Sequence, residues 1–579
     1  MKVWIKGQSN PIELTQSNYV AGGGEGDVYV KGSVGFKIYH DPTKMIPLGK
    51  IQELAVLSDP RINKPQTPLV DAKGKPIGYT MQFYKDCWAL CQLFPRDFRN
   101  RNGITHDMSG HLVMKMREGI DAVHKTGILI VDLNELNFLV TKRFDDVRFI
   151  DVDSWQTPRH PATAIMSSIR DWRNQASPFS PESDWWSFGI VSFQMFIGMH
   201  PFKGRYKGPE DKFKTKLPTD DPADDFAVTR RRMEAGVSVF RKDVGVPAAA
   251  YPFDVIPPSW RAWYEALFEK GVRCAPPLDF GAPFIIIPKT VTVAGTDKLD
   301  ISEMFEMDGN ILGMWSDGTR LVIATPKGVF VDRHRFADTP KTPVVAFSPR
   351  SGHPILMDGT GSDSGFPTTN LDTSTGSQIG MAFSEMACTD GRAYVRATDQ
   401  VHEVILTDAG NQVIPSTKET VRILEHATKL FPGVVIQKML GATYVSLLVE
   451  SGKAIQVRMK DLDGHKIVDA KLDKGVLMVI GVKRGQYDRF VFRFAPDDTY
   501  DVRVIKDVAT HDLNFVTLDS GVCVCINEEE DLEVFSARKD SQTMKVIQDP
   551  IIAGDMKLGK HAGSVVFAKG NKVFKMRMK

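Results

Sequence analysis

Asp132, Asn137 and Asp151 have the side-chain types, and stand in the order, that metal-assisted transfer of a phosphoryl group requires. Asp132 lies in Ile130-Val131-Asp132-Leu133-Asn134-Glu135-Leu136-Asn137-Phe138-Leu139-Val140, and nineteen residues beyond it Asp151 opens Asp151-Val152-Asp153. Such a reaction needs a carboxylate beside the attacking hydroxyl and oxygen ligands that hold a divalent cation against phosphates. Both acidic positions are reached through apolar, strand-like residues. Carboxylates that merely cap turns are the plain alternative, and the order of the residues upstream argues against it.

Upstream, Ala21-Gly22-Gly23-Gly24-Glu25-Gly26-Asp27-Val28-Tyr29 sits between two strand-like segments. A glycine cluster permits a tight turn whose backbone N–H groups can approach phosphate oxygens, although by itself such a cluster is more often a plain hairpin turn. Eleven residues past Gly26, Lys37 falls within Val34-Gly35-Phe36-Lys37-Ile38-Tyr39. A lysine among apolar strand residues must find an anion or lie at a sheet edge. Glu53, on a short helical stretch over 49–57, is the sole glutamate between Lys37 and Met81 and so the candidate partner for that lysine.

The elements that must position these groups can be read from periodicity. Val113, Met116, Ile120 and Val123 recur at spacings of three and four, which predicts an amphipathic helix ending at Lys125-Thr126-Gly127. Residues 185–199 are apolar nearly all round and predict a helix buried on every side. The polar stretch 203–225 reads as a solvated insertion, and Lys31-Gly32-Ser33 as the hairpin turn before Lys37.

Taken together the array resembles the protein-kinase signature set, over roughly residues 15–280. Gly23 and Gly26 match glycines of the Gly-rich loop, with Ala21 where its first glycine would be. Lys37 resembles the β3 lysine and Glu53 the glutamate of the following helix. Met81-Gln82-Phe83-Tyr84 resembles the hinge that holds adenine, and Asp132, Asn137 and Asp151 match the catalytic-loop Asp and Asn and the Asp of Asp-Phe-Gly. Ser180-Pro181-Glu182 resembles Ala-Pro-Glu, with Arg273 as the partner of Glu182.

The resemblance implies an α+β bilobal fold over 1–285, with an N-lobe over about 1–84 and a C-lobe over 85–285. It implies ATP and Mg²⁺ as cofactors and transfer to a protein substrate, in the Ser/Thr class. Gly23, Gly24, Gly26, Val28, Lys37, Glu53, Met81, Gln82 and Phe83 would contact nucleotide. Asn137 and Asp151 would hold metal, and Asp132, Lys37 and Asn137 would carry catalysis. Ile130-Val131 replaces His-Arg and Asp-Val-Asp replaces Asp-Phe-Gly, so control by phosphorylation of the following segment is not expected. A nucleotide-binding scaffold without transfer and a small-molecule kinase are the alternatives.

Beyond 286 the helical periodicity gives way to short alternating runs. A turn glycine precedes a strand-like run at Gly318, Gly352, Gly391, Gly441, Gly475, Gly521 and Gly563, at intervals of 34 to 50 residues. Each interval is long enough for a four-stranded meander, so 286–579 is expected to be an all-β domain, a β-propeller of six or seven blades. A β-sandwich or two smaller β domains are the alternatives, and 359–377 reads as a long surface loop. By fold analogy this half would bind a partner protein or substrate.

The 579 residues exceed what one core supports, and a net charge of +2 gives no electrostatic case for nucleic acid or an anionic membrane. No run is long enough to span a membrane, and the start of the sequence has no secretory pattern. The six cysteines follow neither a disulfide framework nor a zinc spacing, so a reducing, cytoplasmic location is expected.

Overall fold

A computed structural model of the chain describes residues 1–281, 293–409 and 412–579. The expected boundary at 285/286 lies outside the described residues.

The N-terminal 82 residues build one antiparallel sheet from β1 (Lys2–Ile5), β2 (Ile12–Glu13), β3 (Tyr19–Gly22), β4 (Gly26–Lys31), β5 (Val34–Tyr39), β6 (Pro68–Val70) and β7 (Pro76–Gln82), in the order β2-β1-β6-β7-β5-β4-β3. The turn between β4 and β5 lies at Gly32, with φ 62°. A 3-10 turn (Pro42–Lys44) and the α-helix α1 (Leu48–Leu54) separate β5 from β6.

Helices dominate from 96 to 265, among them α2 (Arg96–Arg101), α3 (His106–His124) and α4 (Pro181–Ile197). Val113, Met116, Ile120 and Val123 are buried along one side of α3, and Gly127 takes φ 76° just past its end. Every residue of α4 from Asp184 to Ile197 is buried, as a sequence apolar on nearly every side requires, and the buried Asp184, Ser187, Ser192 and Gln194 lie among those apolar residues. The segment 203–225 is not wholly solvated: Lys203 is buried and pairs with Asp507 at 2.7 Å. Before and after α3, β8 (Cys87–Ala89), β9 (Phe138–Thr141) and β10 (Val147–Phe149) form a small sheet in the order β10-β9-β8.

Past 293 the chain is all-β. Among the described residues its strands form seven four-stranded antiparallel sheets. Six are consecutive meanders over 313–337, 343–379, 385–422, 428–458, 466–505 and 515–547. The seventh joins Leu299–Glu306 to the last three strands, pairing it with Lys572–Met578. The first strand of the region is thus bonded to its last.

The sheets pack face to face in sequence order. Val322 of the first and Val345 of the second share a core, as do Ile355 with Val395, Tyr394 with Val435, and Ile436 with Val479. Met478 and Cys523 join the fifth to the sixth, Val524 and Phe567 the sixth to the seventh, and Ala568 and Ile323 the seventh to the first. Seven inter-sheet cores therefore close a ring.

Six of the seven glycines singled out in the sequence occupy the turn before the second strand of their sheet, all at positive φ. In the fourth sheet that place belongs to Gly433 (φ 77°), while Gly441 turns the second strand into the third. With Gly433 in the series the intervals of 50 and 34 residues become 42 and 42. The expected loop over 359–377 instead contains the strand Phe366–Asn370 and the start of Gly376–Ile379. Its threonines pair across the strands, and Thr368 Oγ1 donates to Ser377 O at 3.1 Å.

The same hydrophobic core that holds Phe196 of α4 also holds Met478, Cys523 and Phe535 of the fifth and sixth sheets. The ring and the helical region are packed against each other without an intervening solvent layer.

Candidate functional site

The hairpin of β9 and β10 brings the distant acidic residues together. Phe138 pairs with Phe149, and Ile150 N donates to Asn137 O at 2.9 Å, so Asn137 and Asp151 flank the same end of the hairpin. Asn137 Nδ2 donates to Asp132 O at 2.9 Å, which ties Asp132 to that end. Asp132 is buried, and its Oδ1 accepts Met166 N at 2.8 Å. Burial pushes its carboxyl above the usual range, against the hydrogen bonds from Asn134, Met166 and Asn137.

The loop carrying Asp132 is held from below. Asp184, wholly buried near the start of α4, accepts Ile130 N at 2.9 Å and Val131 N at 2.8 Å, and His124 Nε2 lies 2.9 Å from its Oδ2. Val131 has φ 63° and Asp151 φ 60°. A β-branched residue in the left-handed region costs on the order of 1–3 kcal/mol and persists where surrounding bonds over-determine it. At Val131 the Asp184 carboxylate supplies those bonds.

Lys37 on β5 reaches into this site. Its Nζ lies 3.0 Å from Asp151 Oδ1 and 2.6 Å from Asp153 Oδ2, and 5.4 Å and 5.9 Å from the ring centres of Tyr39 and Tyr79. Tyr39 Oη also donates to Asp153 Oδ2, at 2.5 Å. Burial alone would lower the lysine's pKa, but the carboxylates of Asp153 and Asp151 outweigh it and the ammonium is strengthened. The Asp151 side chain is 46% exposed, yet the protein packed around the rest of it and then the charge of Asp153 push its carboxyl up against the pull of Lys37.

The expected Lys37–Glu53 pair is absent. Glu53 instead accepts from Arg159, by its Nε and its backbone N–H, and lies 3.2 Å from His160 Nδ1. The ion pair that fixes the lysine is made by Asp153, two residues past Asp151, and α1 is tied to the segment after it. Arg273 likewise differs from expectation: it binds Asp171 in bidentate fashion at 2.6 and 2.7 Å, while Glu182 accepts from Ser180 Oγ. Asp171 lies deeper than Glu182 and presents both oxygens to the planar guanidinium.

The glycines divide into two kinds. A Cβ on Gly26 would lie 2.3 Å from Ile38 O, so the packing of β4 on β5 requires it. Gly23 and Gly24 have no protein atom closer than 3.8 Å to such a Cβ, and neither has a positive φ. Nothing in the protein itself demands glycine there. Val28 on β4 pairs with Lys37, and Met81 and Gln82 on β7 pair with Gly35 and Val34. Phe83 N donates to Ser33 O at 3.0 Å, so the hinge-like stretch keeps that donor for itself.

Sequence reasoning missed Lys50, buried on α1 three residues before Glu53. Among the described residues it donates only to Pro161 O, at 3.4 Å. Burial lowers its pKa, and the charges of Asp153, Glu25 and Glu53 oppose that shift. Its spacing from Glu53 places both on one side of α1, which was the available signal.

The β ring also touches this site. Tyr487 Oη donates to Glu135 Oε1 at 2.7 Å, and Lys466 Nζ donates to Leu136 O at 3.3 Å, both in the loop between Asp132 and Asn137. A Cβ on Gly485 would lie 2.2 Å from Ser168 Oγ and 2.6 Å from Met166 Sδ. That turn is therefore pressed against the residue whose N–H holds Asp132. Further up, the ring of His426 meets Phe83 edge-on at 5.3 Å, and Gln16 Nε2 lies 2.6 Å from Met439 Sδ.

Among the described residues no three His, Cys, Asp or Glu side chains are arranged as a metal cluster, and no helix is long and apolar enough to cross a membrane. No family model matches the chain, and no curated protein matches it in sequence.

Proposed function

We propose that the chain is an ATP- and Mg²⁺-dependent phosphotransferase of protein-kinase type, built on a seven-bladed β-propeller. The observation that carries this reading is Lys37 Nζ bonded to both Asp151 and Asp153, beside a hairpin end that also gathers Asn137 and Asp132. The seven inter-sheet cores and the pairing of Leu299–Glu306 with the last strand support the propeller.

The donor set suits the cofactors. Asp151 keeps an exposed carboxylate and Asn137 an amide oxygen; Mg²⁺ is commonly bound through one or two such groups together with waters and phosphates. Bound nucleotide with metal would supply the transferable phosphoryl group and the countercharge for its oxygens. Lys37, fixed by Asp153, would bind the phosphates nearer the nucleoside. Gly23 and Gly24 leave room for a close backbone approach. Asp132, buried and with a raised pKa, would orient the acceptor hydroxyl and take its proton. A Ser/Thr acceptor rests on the kinase resemblance alone.

The scaffold reading has one observation in its favour: the Phe83 N–H is already bonded, which removes one hinge donor from an adenine ring. A single experiment separates the two. Purified chain is incubated with γ-labelled ATP and Mg²⁺, with and without a generic protein acceptor, beside Asp132→Ala and Asp151→Ala. Label incorporated by the parent and lost in both variants is expected. Saturable nucleotide binding without any transfer would establish the scaffold instead.

A further inference from the structure

A cavity of about 590 Å³ lies between the β8–β9 region and the second, third and fourth β sheets, away from the Lys37 site. That is the size of an ordinary small-molecule site. Five cations line it, Arg101, Lys142, Arg143, Lys341 and Lys429, against three acids, Asp86, Asp363 and Glu385. Arg101 is already paired with Asp469 at 3.0 Å and Glu385 with Arg396 at 3.2 Å. Four cations and two acids remain, a surplus of two positive charges. Among the described residues none of these four cations has a carboxylate within 4 Å.

Two of them converge. The Nζ atoms of Lys142 and Lys429 lie 5.2 and 6.0 Å from the ring centre of Trp88. Among the described residues Lys142 donates only to Ser384 O, at 2.6 Å, and Lys429 only to Gln92 Oε1. Each therefore keeps N–H donors free. Burial lowers both, Lys429 to about 8. The carboxylate that opposes the shift in both is Glu385, which Arg396 already engages, so three cations share one counterion and the surplus is unfavourable until an anion arrives. The rest of the wall is largely apolar, with Phe98, Phe383 and Phe431 prominent.

We infer that this cavity binds a small organic phosphate, its dianionic head between Lys142 and Lys429 and its body against the apolar wall. A phosphate monoester suits the site because one compact dianionic head can serve two ammonium groups that both lie within 6.0 Å of the same ring centre.

Phenyl phosphate, inorganic phosphate and sulfate are titrated into the full chain by calorimetry at constant ionic strength. Saturable binding of phenyl phosphate is expected, at least tenfold tighter than that of inorganic phosphate or sulfate. Lys142→Met and Lys429→Met should each weaken it at least tenfold, while Lys37→Met leaves it unchanged. Without anion, each of the two cavity variants should melt at a higher temperature than the parent, because one of the three cations that share the Glu385 carboxylate is gone. The inference is overturned by absent or non-saturable binding, by equal affinity for inorganic phosphate, or by loss of binding in Lys37→Met. A lower melting temperature in both cavity variants also overturns it. Failure here leaves the phosphotransfer proposal standing, since the two sites share no residue.

Discussion

At the residue scale the decisive exchange is Asp153 for Glu53. A lysine on a central strand needs a carboxylate at close range, and the nearest rigid source is the short turn following Asp151 rather than the helix α1. Asp153 is buried and takes hydrogen bonds from Lys37 and Tyr39, so its removal leaves a buried ammonium less well compensated. Asp153→Asn should therefore lower stability by about 2–4 kcal/mol and reduce phosphotransfer at least tenfold. Glu53→Gln, which loosens contacts to Thr157, Arg159 and His160, should leave transfer within about threefold. Thermal melts and labelled-ATP assays on the two variants check this; equal effects would return the role to Glu53.

The element scale shows how one repeat glycine was misplaced. In a four-stranded meander all three turns can need φ > 0, as at Gly433, Gly441 and Gly452 of the fourth sheet, and a strand-like run after a glycine looks alike at each. Only the register settles which turn is equivalent: Gly433 connects the first two strands of its sheet, as Gly391 and Gly475 do in theirs. Packing separates them too. A Cβ on Gly433 would lie 2.9 Å from Leu472 Cβ and Leu472 O, whereas nothing lies within 4 Å at Gly441. Both substitutions carry the left-handed cost of about 1–2 kcal/mol, and Gly433→Ala adds a steric term of about 1–3 kcal/mol. Denaturant midpoints should fall further for Gly433→Ala than for Gly441→Ala, and the reverse order would undo the assignment.

At the scale of the whole molecule, one end of the β ring is already occupied. The starts of innermost strands and the turns between second and third strands lie at the same end of an antiparallel meander. From that end Lys429, Lys466, Gly485, Glu529 and Lys557 all meet the helical region or the loops beside it. A partner protein would thus have to use the opposite end or the rim. The junction also carries a pH signature. Asp512, whose Oδ1 accepts Asp97 N at 3.1 Å, is pushed up to about 6 by burial and then by the charge of Asp97.

Because that value exceeds the carboxyl's value in the unfolded chain, about 3.9, the side chain favours folding fully below about pH 4. The contribution is lost as pH rises through about 6. Asp512→Asn keeps a neutral acceptor at every pH. It should match the parent near pH 4 and exceed it at pH 7–8 by about 1–3 kcal/mol. Melting curves at the two pH values test this, and an equal gain at pH 4 would contradict it.

Periodicity and spacing in the sequence determined a great deal here. The faces of α3 and α4, the Gly32 turn, the all-β texture beyond 293 and the roughly forty-residue repeat are local properties, set by side-chain polarity and by where the backbone must turn. The order of Lys37, Asp132, Asn137 and Asp151 was legible for the same reason. What only the tertiary structure decided was pairing. Lys37 with Asp153, Arg273 with Asp171, Tyr487 with Glu135 and the occupied end of the ring, where Lys557 meets Asp97, join residues up to 460 positions apart. A charged side chain takes the partner that is nearest and best desolvated after folding, and a linear sequence offers several chemically equal candidates for each. The second cavity follows the same rule: Lys142 and Lys429 stand 287 residues apart, and only packing puts both beside Trp88.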